Sequence, residues 1–98
     1  MERNIIDYTE YMTNEYKVYV DVNEDRFKDG RLIPLSFVWE DGKRYEIDRV
    51  LDVCHAASLK AGGVGLRYTV RIRDKQKYMF LEEDGDTLKW FMERKDPE

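Results

Sequence analysis

Cys54 and His55 are the only cysteine and the only histidine in a chain of 98 residues. A thiolate and an imidazole can form a nucleophile–base couple or contribute to a zinc site. Neighbours on a strand point to opposite faces, which separates these two, and zinc would lack its other ligands. Cys54 therefore reads as a small core residue and His55 as a surface one. Asp21, Asn23 and Asp25 have the opening spacing of a calcium loop. Such a loop needs glycine sixth and glutamate twelfth, where Arg26 and Leu32 stand. The glycine-rich run Ala61–Gly65 has no following Lys-Ser or Lys-Thr, so it does not make a phosphate loop. Gly62 and Gly65 match a G-x-x-G that joins two helices in one RNA-binding fold, but a strand follows here. The Glu82–Glu83 pair reads as charge flanking a turn. The expectation is no catalytic residue, no metal, no cofactor and no enzyme.

Another kind of chemistry is legible in Tyr68–Asp74, which alternates as a strand does. Tyr68, Val70 and Ile72 share one side, and Thr69, Arg71 and Arg73 share the other. The chain carries a net charge of −4, yet residues 60–77 hold six basic residues against one acidic. Arginines interleaved with aromatic rings on a sheet can bind single-stranded nucleic acid, bases stacking on rings and phosphates meeting cations. The same pairs also stabilise a sheet unaided.

The elements that would position these residues are short strands. Residues 16–22 alternate through Val18, Val20 and Val22, and 23–31 read as a polar connection. Residues 32–39 alternate through Leu35, Phe37 and Trp39, with Pro34 confined to a strand start or an edge because it lacks an N–H. Glu40–Lys43 signals a hairpin. A two-residue turn sets Phe37 opposite Glu46. A three-residue loop ending in Gly42 sets Phe37 opposite Tyr45 and Leu35 opposite Ile47, and the apolar match favours it. Residues 50–65 read either as a helical stripe through Val50, Cys54 and Ala57 or as a bent strand followed by a loop, which is preferred.

Residues 65–72, 77–82 and 87–93 read as a three-stranded meander. A four-residue loop at Asp74–Lys77 and a two-residue turn at Asp84-Gly85 give one apolar face of Val70, Ile72, Met79, Leu81, Leu88 and Trp90. On the other face they set Arg71 beside Phe80, Phe80 beside Lys89, Arg73 beside Tyr78, and Tyr78 beside Phe91. The candidate binding surface is Arg71, Arg73, Lys75, Lys77, Tyr78, Phe80, Lys89 and Phe91.

The expected fold is all-β: a small antiparallel barrel or strongly bent sheet of five or six strands, SH3-like among the options. Residues 1–15 form either a short helix, from the spacing of Ile5, Tyr8 and Met12, or a frayed arm. Residues 16–94 are one β domain, and 95–98 are a charged tail. Thirteen aromatics and 42% hydrophobic residues suffice for one core. One cysteine excludes an internal disulfide and fits a reducing compartment. No apolar run approaches a membrane span, and Asp7, Glu10 and Glu15 interrupt any leader-like core. A cytoplasmic protein is expected.

Residues 20–94 carry a further pattern. Gly30, Pro34, Phe37, Trp39, Gly42, Tyr45, Ile47 and then Val50-Leu51-Asp52 are followed by Arg67-Tyr68, Val70-Arg71, and finally Trp90 ahead of Glu93-Arg94. This resembles a small uncharacterised bacterial domain family found in association with Y-family translesion DNA polymerases. Two departures stand out. Val53-Cys54-His55 replaces a tryptophan-containing stretch, and the chain is acidic where the family is rich in arginine. The resemblance implies accessory work in DNA repair and carries over no catalytic residue. Taken together, the residues point to a domain that acts by binding, with a protein partner or a second copy first and single-stranded nucleic acid as the alternative.

Overall fold

The structure is a computed structural model and describes residues 17–57 and 64–94. The expected N-terminal helix or arm, most of the glycine-rich run and the charged tail lie outside the described residues.

The described chain is all-β. Seven strands follow one another: β1 (Lys17–Arg26), β2 (Leu32–Val38), β3 (Arg44–Glu46), β4 (Arg49–Ala57), β5 (Val64–Ile72), β6 (Lys75–Asp84) and β7 (Thr87–Glu93). They form one antiparallel sheet in the order β3-β2-β1-β7-β6-β5-β4. The sheet curls into a half-barrel, because a single small sheet can cover its apolar face only by bending over it. β1 is the strand about which it bends. Lys17–Val20 pair with β7, and Asp21–Arg26 pair with β2. The expected polar connection thus supplies four more residues of strand, since pairing with β2 satisfies the backbone of Asn23–Arg26 while their side chains stay wet.

The hairpin between β2 and β3 has the three-residue loop. Phe37 pairs with Tyr45, and the Ile47 N–H donates to the Leu35 carbonyl at 2.9 Å. Gly42 has φ +82°, the left-handed conformation that this loop demands. The alternation expected through Leu35 is broken, however. The β1–β2 ladder shifts between Asn23 and Glu24, leaving Leu35 unpaired in a bulge. Leu32 and Pro34 face inward before it and Phe37 after it, while Leu35 is exposed. Pro34 lies where the side of β2 turned away from β1 has no partner, since β3 pairs only with Ser36–Val38.

Residues 49–57 are strand rather than helix, with a second bulge at Leu51. The turns of the meander are tighter or later than expected. Arg73 and Asp74 form a two-residue turn with φ +51° and +67°, so Ile72 pairs with Lys75 and Tyr68 with Met79. Asp84 pairs with Thr87, which makes Gly85-Asp86 the second turn and sets Leu81 opposite Trp90. Both slips move each partner by an even number of residues, so the faces are preserved although the neighbours change. Val70, Ile72, Met79, Leu81 and Trp90 are buried as expected, joined by Val18, Leu32, Phe37, Tyr68 and Met92. Leu88 is the exception at 42% exposed, because the later turn leaves it one residue from the hairpin end.

Two hydrogen bonds tie distant strands together, one buried and one part-buried. The buried Tyr68 hydroxyl donates to the Leu32 carbonyl at 2.6 Å, tying β5 to β2. The Trp90 indole N–H donates to Glu24 Oε1 at 2.6 Å. Burial holds the Tyr68 phenol above its ordinary pKa, and the charge of Glu24 adds to the shift.

Candidate interaction surface

The outer face of the long sheet is built from the side chains that alternate with the core. On β6 these are Gln76, Tyr78, Phe80 and Glu82; on β7, Lys89 and Phe91; on β1, Lys17 and Tyr19; on β5, Arg67, Thr69 and Arg71. Four rings run across three strands of it. Tyr19 meets Phe91 edge-on at 5.9 Å, Phe91 stacks on Phe80 at 4.8 Å with 7° between planes, and Phe80 meets Tyr78 edge-on at 6.4 Å. The two end rings are the open ones, Tyr19 at 51% and Tyr78 at 44% exposed.

Cations lie against these rings. The Arg67 guanidinium stands 4.5 Å from the Tyr78 ring centroid, and its buried Nε has no hydrogen-bond partner. The Lys17 ammonium lies 4.4 Å from the Phe91 centroid, and Lys89 lies 5.5 Å from Tyr19. Carboxylates share this face, Glu93 opposite Lys17 and Glu82 opposite Lys89. Glu82 accepts from the Tyr19 hydroxyl at 2.8 Å and lies 3.7 Å from the Lys17 ammonium, their side chains being 19% and 7% exposed. In so sheltered a place Lys17 and Glu82 neutralise each other, and neither offers a free charge to a ligand.

The candidate residues named from sequence divide into two groups. Tyr78, Phe80, Lys89 and Phe91 come together on this face. The other four do not join them. Arg71 is on the outer face but pairs with Gln76 on one side and Arg49 on the other, not with Phe80. Arg73 lies in the turn, where its N–H donates to Asp48 at 3.1 Å and its guanidinium covers Tyr45 at 5.2 Å. Lys75 and Lys77 pair with Ile72 and Val70 and share their side with Met79, exposed at the hairpin end. The cause is the Arg73-Asp74 turn. It removes the four-residue loop that would have carried Arg71 to Phe80 and puts Arg67 there instead.

Lys17, Tyr19 and Arg67 complete the surface and were missed from sequence. The alternation of β1 shows that Tyr19 points away from Val18 and Val20, but only the non-local β1–β7 pairing brings it to Phe91. Among the described residues no group of three or more His, Cys, Asp or Glu side chains could hold a metal ion. No helix there is long and apolar enough to cross a membrane. Comparison with family models, curated proteins and solved structures finds no match to the chain.

Proposed function

We propose that this chain is a non-enzymatic binding domain whose outer sheet face takes a protein surface, a second copy of the chain being the simplest candidate. The observation that carries this reading is the unbroken row Tyr19–Phe91–Phe80–Tyr78. Rings on a solvent-facing sheet are costly to leave wet, and aromatic clusters with an arginine beside them are the usual anchors of protein contacts. The cations support the same reading. Lys17 is spent on Glu82, and Arg71, Arg73, Lys75 and Lys77 lie away from the rings. Measuring solution mass from micromolar to millimolar concentration tests self-association. A Tyr19→Ala/Tyr78→Ala variant is expected to shift any dimer toward monomer.

Arg67 against Tyr78 and Lys89 against Tyr19 favour one second reading, a weak single-stranded nucleic-acid module. That role would suit the DNA-repair accessory work implied by the resemblance. With two or three phosphate contacts, affinity should fall with a log–log salt slope of roughly −1.4 to −2.1. Binding of labelled single strands with no salt dependence, or none at low salt, excludes it.

A further inference from the structure

The chain enters the sheet at Lys17, two residues before the first ring of the aromatic row. One ladder level crosses five strands there. Tyr19 on β1 pairs with Phe91 on β7, Phe91 with Phe80 on β6, Phe80 with Arg67 on β5, and Arg67 with Cys54 on β4. These side chains share the outer face. Beyond the rings the face turns positive. Arg49 and Arg71 stand directly opposite each other across β4 and β5, an arrangement that like charges disfavour. Neither has an ion-pair partner among the described residues. Nor has Arg67, whose buried Nε also lacks a hydrogen bond. Against these three arginines the outer side of β4 and β5 offers one carboxylate among the described residues, Asp52, opposite Thr69.

We infer that residues 1–16 of the same chain fold back over the aromatic row, with apolar side chains on the rings and carboxylates toward Arg49, Arg67 and Arg71. Their sequence is complementary to the face. It holds Ile5, Ile6, Tyr8 and Met12, and four acidic residues, Glu2, Asp7, Glu10 and Glu15, against the one basic residue Arg3. Its length suffices. Residues 1–16 reach roughly 24 Å even at the helical rise of 1.5 Å per residue, more than the centroid steps of 5.9, 4.8 and 6.4 Å along the row together. Its attachment favours it over a separate partner, because a short tether keeps a segment at an effective concentration of about millimolar. The inference rests on the reading of the row as a contact surface and adds a regulator to it. The tethered segment competes with a second copy for the rings, so that copies associate only while their rows are open.

The test uses the full chain with labelled Ile and Met methyl groups. At the low end of the concentration range, the methyls of Ile5, Ile6 or Met12 should show nuclear Overhauser contacts to ring protons of Tyr19, Phe80 or Phe91. In a mixture of labelled and unlabelled copies these contacts should stay within one chain. Ile5→Ser/Ile6→Ser/Met12→Ser should remove them and tighten self-association about four- to ninefold. That is the factor when each parent copy has its row open for roughly a half to a third of the time and both copies must be open. The three substitutions lie outside the described strands, so an unchanged circular dichroism spectrum checks that the variant folds. Raising the salt concentration should also tighten association of the parent, by screening the arginines from the acidic segment. The inference is overturned by an absence of contacts, by contacts only between chains, or by equal and measurable association of parent and variant. Association without the contacts would sink this inference and leave the reading of the row standing. Contacts within a chain that stays monomeric, as does its variant, would support the fold-back and sink self-association, so the two proposals fail separately.

Discussion

Removing the Tyr68 hydroxyl tests whether the half-barrel is braced across its interior. In Tyr68→Phe the ring remains, and with it the packing on Trp90 at a centroid distance of 5.0 Å. What is lost is one hydrogen bond of 2.6 Å to the Leu32 carbonyl, between two buried residues. A typical hydrogen bond contributes about 0.5–1.5 kcal/mol, and a buried acceptor left without a donor costs about 1–3 kcal/mol. The expected loss is therefore about 2 kcal/mol, which lowers Tm by roughly 8–16 °C in a domain of this size. The assay is urea unfolding at neutral pH, with the slope m checked for constancy. A second reading comes from alkaline pH. The folded-state pKa of Tyr68 is raised above its ordinary value of 10.0, so the protonated phenol stabilises the fold fully below that value. This contribution is lost as pH rises above 10.0 toward the folded pKa. Tyr68→Phe should accordingly flatten part of the alkaline limb. A loss below about 0.5 kcal/mol, at the lower bound for one hydrogen bond, together with an unchanged alkaline limb would refute the brace.

Three other changes probe the parts that position the surface. Asp74→Gly relieves a left-handed residue at φ +67° in the two-residue turn and should stabilise the domain by about 0.5–1 kcal/mol in urea unfolding. Gly65→Ala should cost about 1–3 kcal/mol in the same assay, because a Cβ there would lie 2.5 Å from the Leu81 carbonyl oxygen, which is backbone and cannot step aside. Arg94 grips Glu40 with two hydrogen bonds, of 2.7 and 3.1 Å, joining the β2–β3 hairpin to the end of β7. Those bonds, chiefly, hold the Glu40 carboxyl below its ordinary 4.5, so its contribution is present above that pH and lost as pH falls through the folded value. Arg94→Ala should flatten the acid limb of stability below pH 4.5, read by thermal unfolding at a series of pH values.

The parts of the fold governed by local periodicity were legible in the sequence. Val70, Ile72, Met79, Leu81 and Trp90 share the core face in the expected and the observed registers alike, because the two differ by even numbers of residues and a two-residue period tolerates that. The β2–β3 loop was legible in full, since Gly42 and the match of Phe37 with Tyr45 agree. The bulges at Leu35 and Leu51 left no local mark, so the burial of Leu32 and Pro34 in place of Leu35 could not be read. The Arg73-Asp74 turn was hidden for a specific reason. It lacks the glycine or asparagine that such turns favour, and the Asp48 carboxylate and the Tyr45 ring, both distant in sequence, hold it. That one turn decides which arginine meets the rings. The candidate site was thus half legible: Tyr78, Phe80, Lys89 and Phe91 from alternation, but not Lys17 and Tyr19, which arrive through the pairing of β1 with the distant β7, nor Arg67, which the register of that turn brings to Phe80.

The central claim, in its simplest form, is that the row from Tyr19 to Tyr78 is a contact surface between two copies of the chain. Sedimentation velocity of the full chain and of Tyr19→Ala/Tyr78→Ala, run from micromolar to millimolar concentration, tests it most directly. The account predicts reversible, concentration-dependent association of the unmodified chain that persists at high salt, as apolar contacts do, and that the double variant loses. A chain that stays monomeric across the whole range, or a double variant that associates as readily as the parent, would contradict it.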